Sequence, residues 1–265
     1  MKLKKYMFSI VCICMVFSVV YMCQIKKNRV VSGKEMYRGF ILDNVLDGKI
    51  HYNLYVPKTY DGTKPYALYV TLPGYEGLYF QGVGQNLKSE EFAFEAQKYN
   101  KEMIVVAPQL EDWQETSANQ TIKLVKYLLQ TYNIDPLKVY ANGYSGGAET
   151  MSLVLEKEPD LFRAYLHCSS KWDGKMDALI SKRVPVYLVV GKNDEYYGSK
   201  PTRDIYKKMY KAYEQEGLTK SEIDTLLVLD IKDHSYFTSK GYDHEHGGGV
   251  LFAKDSKIMR WLFSK

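Results

Sequence analysis

Beyond its first thirty residues this 265-residue chain holds one cysteine, Cys168, because Cys12, Cys14 and Cys23 all lie near the N-terminus. A lone cysteine excludes an internal disulfide framework, so residues 31–265 must draw their stability from a hydrophobic core, as a domain of this size can. Net positive charge is also missing from the body. Residues 1–29 carry Lys2, Lys4, Lys5, Lys26, Lys27 and Arg29 without any acid, so a whole-chain charge of +5 leaves −1 for the remainder. A near-neutral body lacks the electrostatic footprint of a nucleic-acid binder, and no nucleic-acid partner is expected. There is no internal repeat and no low-complexity tract, which argues against a solenoid. Gly82-Val83-Gly84 begins like a dinucleotide fingerprint, but Leu87 stands where the third glycine should be, so the segment reads as a loop. His244-Glu245-His246 lacks a marked third and fourth ligand, and no metal is expected there.

What is present begins with a long apolar run, Tyr6 to Ile25, broken only by Ser9, Ser18 and Gln24. At ~1.5 Å per residue it reaches about 30 Å, the thickness of a bilayer's hydrocarbon core. Basic residues precede it, yet the apolar part exceeds the usual signal-peptide length and no small-x-small cleavage pattern follows. Residues 1–30 therefore read as a signal anchor with linker, a cleaved signal peptide being the alternative. Tyr21 and Met22 are too large for a lipidation site at Cys23. This reading makes the membrane a partner through the N-terminal segment and places residues 31–265, one α/β domain, outside the cytoplasm, membrane-anchored or secreted.

Within that domain, β-rich runs at 38–45 and 49–56 flank Leu46-Asp47-Gly48, a hairpin signal. Further strands are expected at 66–72, 103–107, 138–141, 163–168, 184–190 and 223–231. Helices are expected from a Ser89 cap to Tyr99, and over 121–132, from Ala148, 201–217 and 249–263. Ser169 to Arg183 reads as a loop with one helical turn. Short buried strands alternating with helices predict a mainly parallel sheet of about eight strands behind an antiparallel N-terminal hairpin, with helices on both faces.

The fifth of those strands runs into Gly143-Tyr144-Ser145-Gly146-Gly147 and then a helix, the context of a G-x-S-x-G nucleophile elbow. Ser145 is the candidate nucleophile. An alcohol needs a base within reach, and the base needs an acid to hold its tautomer. In a sheet of this type the acid follows the seventh strand and the histidine the eighth. Gly191-Lys192-Asn193-Asp194-Glu195 follows the seventh, making Asp194 the acid and Glu195 its neighbouring rival. His234, His244 and His246 all follow the eighth; His246, directly before Gly247-Gly248-Gly249, has the backbone freedom to reach over the sheet edge and is preferred, with the others left open. The oxyanion donors expected are the N–H groups of Gly146 and of Tyr75, in the loop Pro73-Gly74-Tyr75. His51 and His167 fall within strands and read as structural. Trp113, Trp172 and the tyrosines near the sheet edge (Tyr75, Tyr79, Tyr144, Tyr196 and Tyr197) are candidates for binding aromatic or sugar rings, or for ordinary rim packing.

The ordered set Pro73-Gly74-Tyr75, Gly143 to Gly147, Gly191 to Asp194 and His246 resembles the α/β-hydrolase superfamily over residues 36–265. Within it the chain is similar to single-domain esterases of the polyhydroxybutyrate depolymerase and feruloyl esterase type, and to the catalytic domain of prolyl oligopeptidases. The resemblance implies a Ser-His-Asp triad, an acyl-enzyme intermediate and no cofactor. It departs from many relatives after the third strand, where they have His-Gly and this chain has Pro73-Gly74. The expected activity is hydrolysis of small-molecule or polymer-linked carboxylic esters. A serine peptidase and a non-catalytic surface-binding module on the same fold are the alternatives.

Overall fold

A computed structural model describes residues 35–265, and the apolar run at 6–25 lies outside the described residues. Among those described, no helix is long and apolar enough to cross a membrane. Nine strands among the described residues form one sheet in the order β1-β2-β3-β5-β4-β6-β7-β8-β9. Their spans are β1 Met36–Tyr37, β2 Phe40–Leu46, β3 Ile50–Tyr55, β4 Tyr66–Leu72, β5 Met103–Gln109, β6 Ile134–Tyr144, β7 Ala164–Cys168, β8 Val186–Gly191 and β9 Leu227–Lys232. The ninth strand, absent from the sequence expectation, is β1: two residues pairing Met36 with Ile41 and Tyr37 with Phe40. A strand this short carries no period-2 signal to read.

β1, β2 and β3 pair antiparallel, β3 joins β5 antiparallel, and every pair from β5 through β4 to β9 is parallel. In the β2–β3 connection Lys49 N donates to Leu46 O at 3.2 Å, and the two central residues of that turn, Asp47 at φ 53° and Gly48 at φ 67°, have the positive φ that a primed turn requires. Central strands are buried on both faces and so read as continuous apolar runs. Alternate residues serve two cores. Leu68, Val70, Ile104, Val106, Val139 and Leu188 face one core, together with helices Glu115–Thr131, Gly146–Lys157 and Lys200–Gln215. Tyr69, Val105, Tyr140, Leu166 and Val189 face the other, with Phe92, Phe252, Ile258 and Leu262 from segments of the opposite layer.

Several boundaries differ from expectation for local reasons. Residues 223–226, read as the start of the last strand, belong instead to helix Lys220–Leu226. Thr219 and Glu222 close a capping box at its N-terminus, and that local bonding outweighs the β-rich composition. Ser89 ends a helix, Gln85–Ser89, instead of starting one, its hydroxyl donating to Gln85 O at 2.7 Å. The expected C-terminal helix splits into a 3-10 segment, Gly247–Lys254, and helix Ser256–Phe263, whose N-cap Asp255 accepts from Lys257 N. The loop 169–183 contains helix Asp177–Lys182.

Candidate active site

β6 delivers its last residue, Tyr144, to the carboxyl edge of the sheet, and helix Gly146–Lys157 starts after a single intervening residue. Ser145 joins them at φ 53°, ψ −126°, a conformation that costs an L residue of order 1–3 kcal/mol and persists only where its surroundings enforce it. Enforcement comes from close packing. A Cβ on Gly143 would lie 2.6 Å from Ala148 Cα, and one on Gly147 would lie 2.4 Å from Pro73 O and 2.5 Å from Leu72 O. The glycines thus let the helix press onto both its own strand and the loop after β4. Ser145 N donates to Cys168 O at 3.0 Å, which ties the turn to β7.

Three side chains from three sheet-edge loops converge on that turn. His246 Nε2 lies 3.1 Å from Ser145 Oγ, and His246 Nδ1 lies 2.8 Å from Asp194 Oδ2. The Asp194 side chain is fully buried, and its other oxygen accepts from the N–H groups of Tyr196 and Tyr197 at 3.1 and 2.9 Å. These three partners leave the carboxylate one orientation, and an acceptor at Nδ1 sets the imidazole tautomer so that Nε2 faces the serine without its proton. The Tyr144 ring stacks on His246, centroids 5.6 Å apart, while its hydroxyl donates to the His246 carbonyl oxygen.

The other candidates are occupied elsewhere. Glu195 accepts from Glu245 N at 2.9 Å and His246 N at 2.8 Å, fastening the histidine loop to the acid loop. Desolvation pushes its carboxyl upward, but those backbone N–H groups outweigh it and the pKa is lowered. His244 pairs with Glu195 at 3.2 Å and His234 with Glu245 at 3.1 Å, neither touching Ser145. Glu245 also accepts from Asn193 N at 2.7 Å, so the three residues His244, Glu245 and His246 point to three different partners. His51 sits on β3 beside Asp43 and stacks on Tyr79. His167 is buried on β7 against Tyr165 and Trp172, and burial drives its pKa down to about 4.

Tyr75 opens the 3-10 turn Tyr75–Gly77 and Gly146 opens helix Gly146–Lys157. The first N–H of a helix has no partner within it, so both are available donors, and the two segments meet: a Cβ on Gly74 would lie 3.3 Å from Ser145 Cβ. Around them is a cavity of about 650 Å³ lined by Tyr75, Glu76, Trp113, Tyr196, Tyr197 and His246, among others. Trp113 lies flat over Gly146, its ring 2.3 Å from where a Cβ would be. Of the aromatic candidates, Tyr79 and Trp172 lie outside this lining, Trp172 bordering a separate cavity beside Lys171 and Lys200.

Three carboxylates escaped the sequence reading. Glu149, on the first turn after the elbow, accepts from Tyr197 Oη at 2.6 Å and pairs with Lys171 at 3.4 Å. Burial raises its pKa, partly offset by the Tyr197 hydroxyl, and burial together with Glu149 keeps Tyr197 protonated. Its position four residues after Ser145 was the available signal, since that spacing returns a helical side chain to the same face. Glu90 accepts from Gly74 N at 2.7 Å beneath the loop that carries Tyr75, and Glu76 sits in the cavity wall. Neither has a sequence signature.

The fold and this edge arrangement define the chain as an α/β-hydrolase-fold protein. The profile of the Prolyl oligopeptidase family matches residues 109–236. Over 63 residues the chain is 36% identical to an acetylxylan esterase of Coprinopsis cinerea, a stretch covering 24% of this chain and 16% of that protein. Among solved structures, a thermostable esterase superposes with TM-score 0.68 at 21% identity, covering 85% of this chain and 63% of the other. An α/β hydrolase from a Medee basin deep-sea metagenome library superposes with TM-score 0.57 at 11% identity, covering 86% of this chain and all of the other (100%).

Proposed function

We propose that the chain is a serine hydrolase that cleaves carboxylic esters through Ser145, His246 and Asp194. The observation carrying this reading is the unbroken run from Asp194 Oδ2 through His246 to Ser145 Oγ, with separations of 2.8 and 3.1 Å, at a strained turn. In the first half-reaction His246 Nε2 takes the Ser145 proton as Oγ attacks the ester carbonyl carbon. The carbonyl oxygen becomes an oxyanion facing the Gly146 and Tyr75 N–H groups, and Asp194 stabilises the imidazolium. His246 then protonates the departing alcohol, leaving an acyl-enzyme. Water, deprotonated by His246, repeats the attack and releases the acid.

Similarity to esterases supports ester over amide cleavage; the prolyl oligopeptidase profile keeps a peptidase as the competing reading. Location outside the cytoplasm, through the segment at 6–25, rests on its sequence. The test is turnover of p-nitrophenyl acetate and of matched p-nitroanilides by the full chain, with labelling by a fluorophosphonate. Ester turnover and labelling are expected, both lost in Ser145→Ala by at least ~10³-fold. Faster anilide than ester turnover would move the assignment to a peptidase, and an unaffected Ser145→Ala would end the reading.

A further inference from the structure

The lining of the catalytic cavity is one-sided in charge. Among the described residues it includes Glu76 but no lysine or arginine, although the chain has 36 of these in all. Glu76 forms no ion pair or hydrogen bond with any described side chain, unlike the acids deeper in the site. The second carboxylate near the mouth, Glu195, is held ionised by backbone N–H groups and meets His244 at 3.2 Å.

Apart from Ser145, Gly247 and the two histidines His244 and His246, the rest of the wall is tyrosine and tryptophan. Tyr75, adjacent to Glu76 in sequence, meets Trp113 edge to face, centroids 6.2 Å apart, and all three line the cavity. Tyr196, 75% exposed, and Tyr197 flank His246 in the same lining. Aromatic faces attract a cation through their quadrupole, and a nearby carboxylate adds to that attraction. An anionic substrate group would meet repulsion from Glu76, with no lysine or arginine in the lining to offset it. Hydrophobic packing alone would explain the aromatic residues; Glu76, exposed to solvent, adds to them a carboxylate that no described lysine or arginine pairs with.

We infer that this cavity selects esters carrying a positively charged ammonium group, held between the Tyr75–Trp113 corner and the Glu76 carboxylate. The inference rests on the hydrolase reading above and specifies its substrate class. The ammonium group stays intact through the reaction. It contributes by binding, so its effect falls mainly on KM.

The test compares kcat/KM of the full chain for two isosteric pairs. Acetylcholine is set against 3,3-dimethylbutyl acetate, with the charge on the alcohol side. Ethyl betaine is set against ethyl 3,3-dimethylbutanoate, with the charge on the acyl side. Because cationic and neutral esters differ in intrinsic reactivity, the readout is the cationic-to-neutral ratio in wild type divided by that in Glu76→Gln. For at least one pair that quotient is expected to be roughly fivefold to tenfold, carried by KM, and to shrink as NaCl is raised from ~0.02 to ~0.5 M, roughly 20- to 4-Å screening lengths. If wild type hydrolyses the neutral esters and the quotient stays near one for both pairs, the charge selection is wrong while the hydrolase reading stands. If none of the four esters is turned over and Ser145 takes no fluorophosphonate, both fall.

Discussion

Replacing Glu90 by glutamine should make the protein more stable at alkaline pH. Glu90 is 5% exposed and its carboxyl lies 2.7 Å from Gly74 N, directly below the loop that presents Tyr75. Burial raises its pKa from 4.5 to about 8, the Gly74 N–H pulling down and the Glu76 charge pushing up. Between those two values the folded chain keeps a proton that the unfolded chain has released. The unfolded state therefore binds fewer protons, and unfolding free energy falls as pH rises through the interval, then levels off above it. At ~1.4 kcal/mol for each pH unit, the interval amounts to roughly 4–5 kcal/mol. Glutamine keeps an oxygen that can accept from Gly74 and has no charge to bury. Wild type and Glu90→Gln should thus be nearly equal near pH 5 and diverge by up to ~4 kcal/mol at pH 8.5, about 10 °C in Tm for a chain of this length. Urea titrations of both proteins at half-unit steps from pH 5 to 9 measure this directly, with m constant between them. Parallel curves over the whole range would refute the argument, because they would mean that Glu90 ionises in the fold as easily as in the unfolded chain.

Two further outcomes follow from the site. His246→Gln should lower kcat for a p-nitrophenyl ester by at least ~10³-fold, while His234→Gln and His244→Gln should lower it less than ~10-fold, since those rings meet Glu245 and Glu195 and not Ser145; a larger loss in either would move the base. Gly147→Ala would set a Cβ 2.4 Å from Pro73 O, an overlap with backbone that cannot swing aside. It should cost about 1–3 kcal/mol in urea unfolding and reduce activity more than stability, because the displaced loop carries Tyr75; unchanged unfolding would show that the two segments separate freely.

Much of the sheet was legible because each buried strand leaves a compact record. Tyr66–Leu72, Met103–Gln109 and Val186–Gly191 are buried at every position, so the apolar runs marked them without ambiguity. The errors lie where local bonding or an edge governs. β1 is held by two pairings, and Lys220–Leu226 is helical through a cap that composition masks. At the site, the serine could be read from its glycines, since the tight approach of helix to strand demands them within five residues. Asp194 and His246 could be ranked because sheet order dictates where each loop emerges.

By itself, then, the sequence determined the fold class, the elbow and a short list of partners, all of which follow from local periodicity and chain order. Tertiary structure decided the distances and the neighbours. It separated His246 from His234 and His244 by giving each its own carboxylate, and turned Glu195 from rival acid into the tie between two loops. It also put Glu90 under Gly74, and Glu76 among aromatic rings. A carboxylate's environment is assembled from segments far apart in the chain, so no local pattern records it.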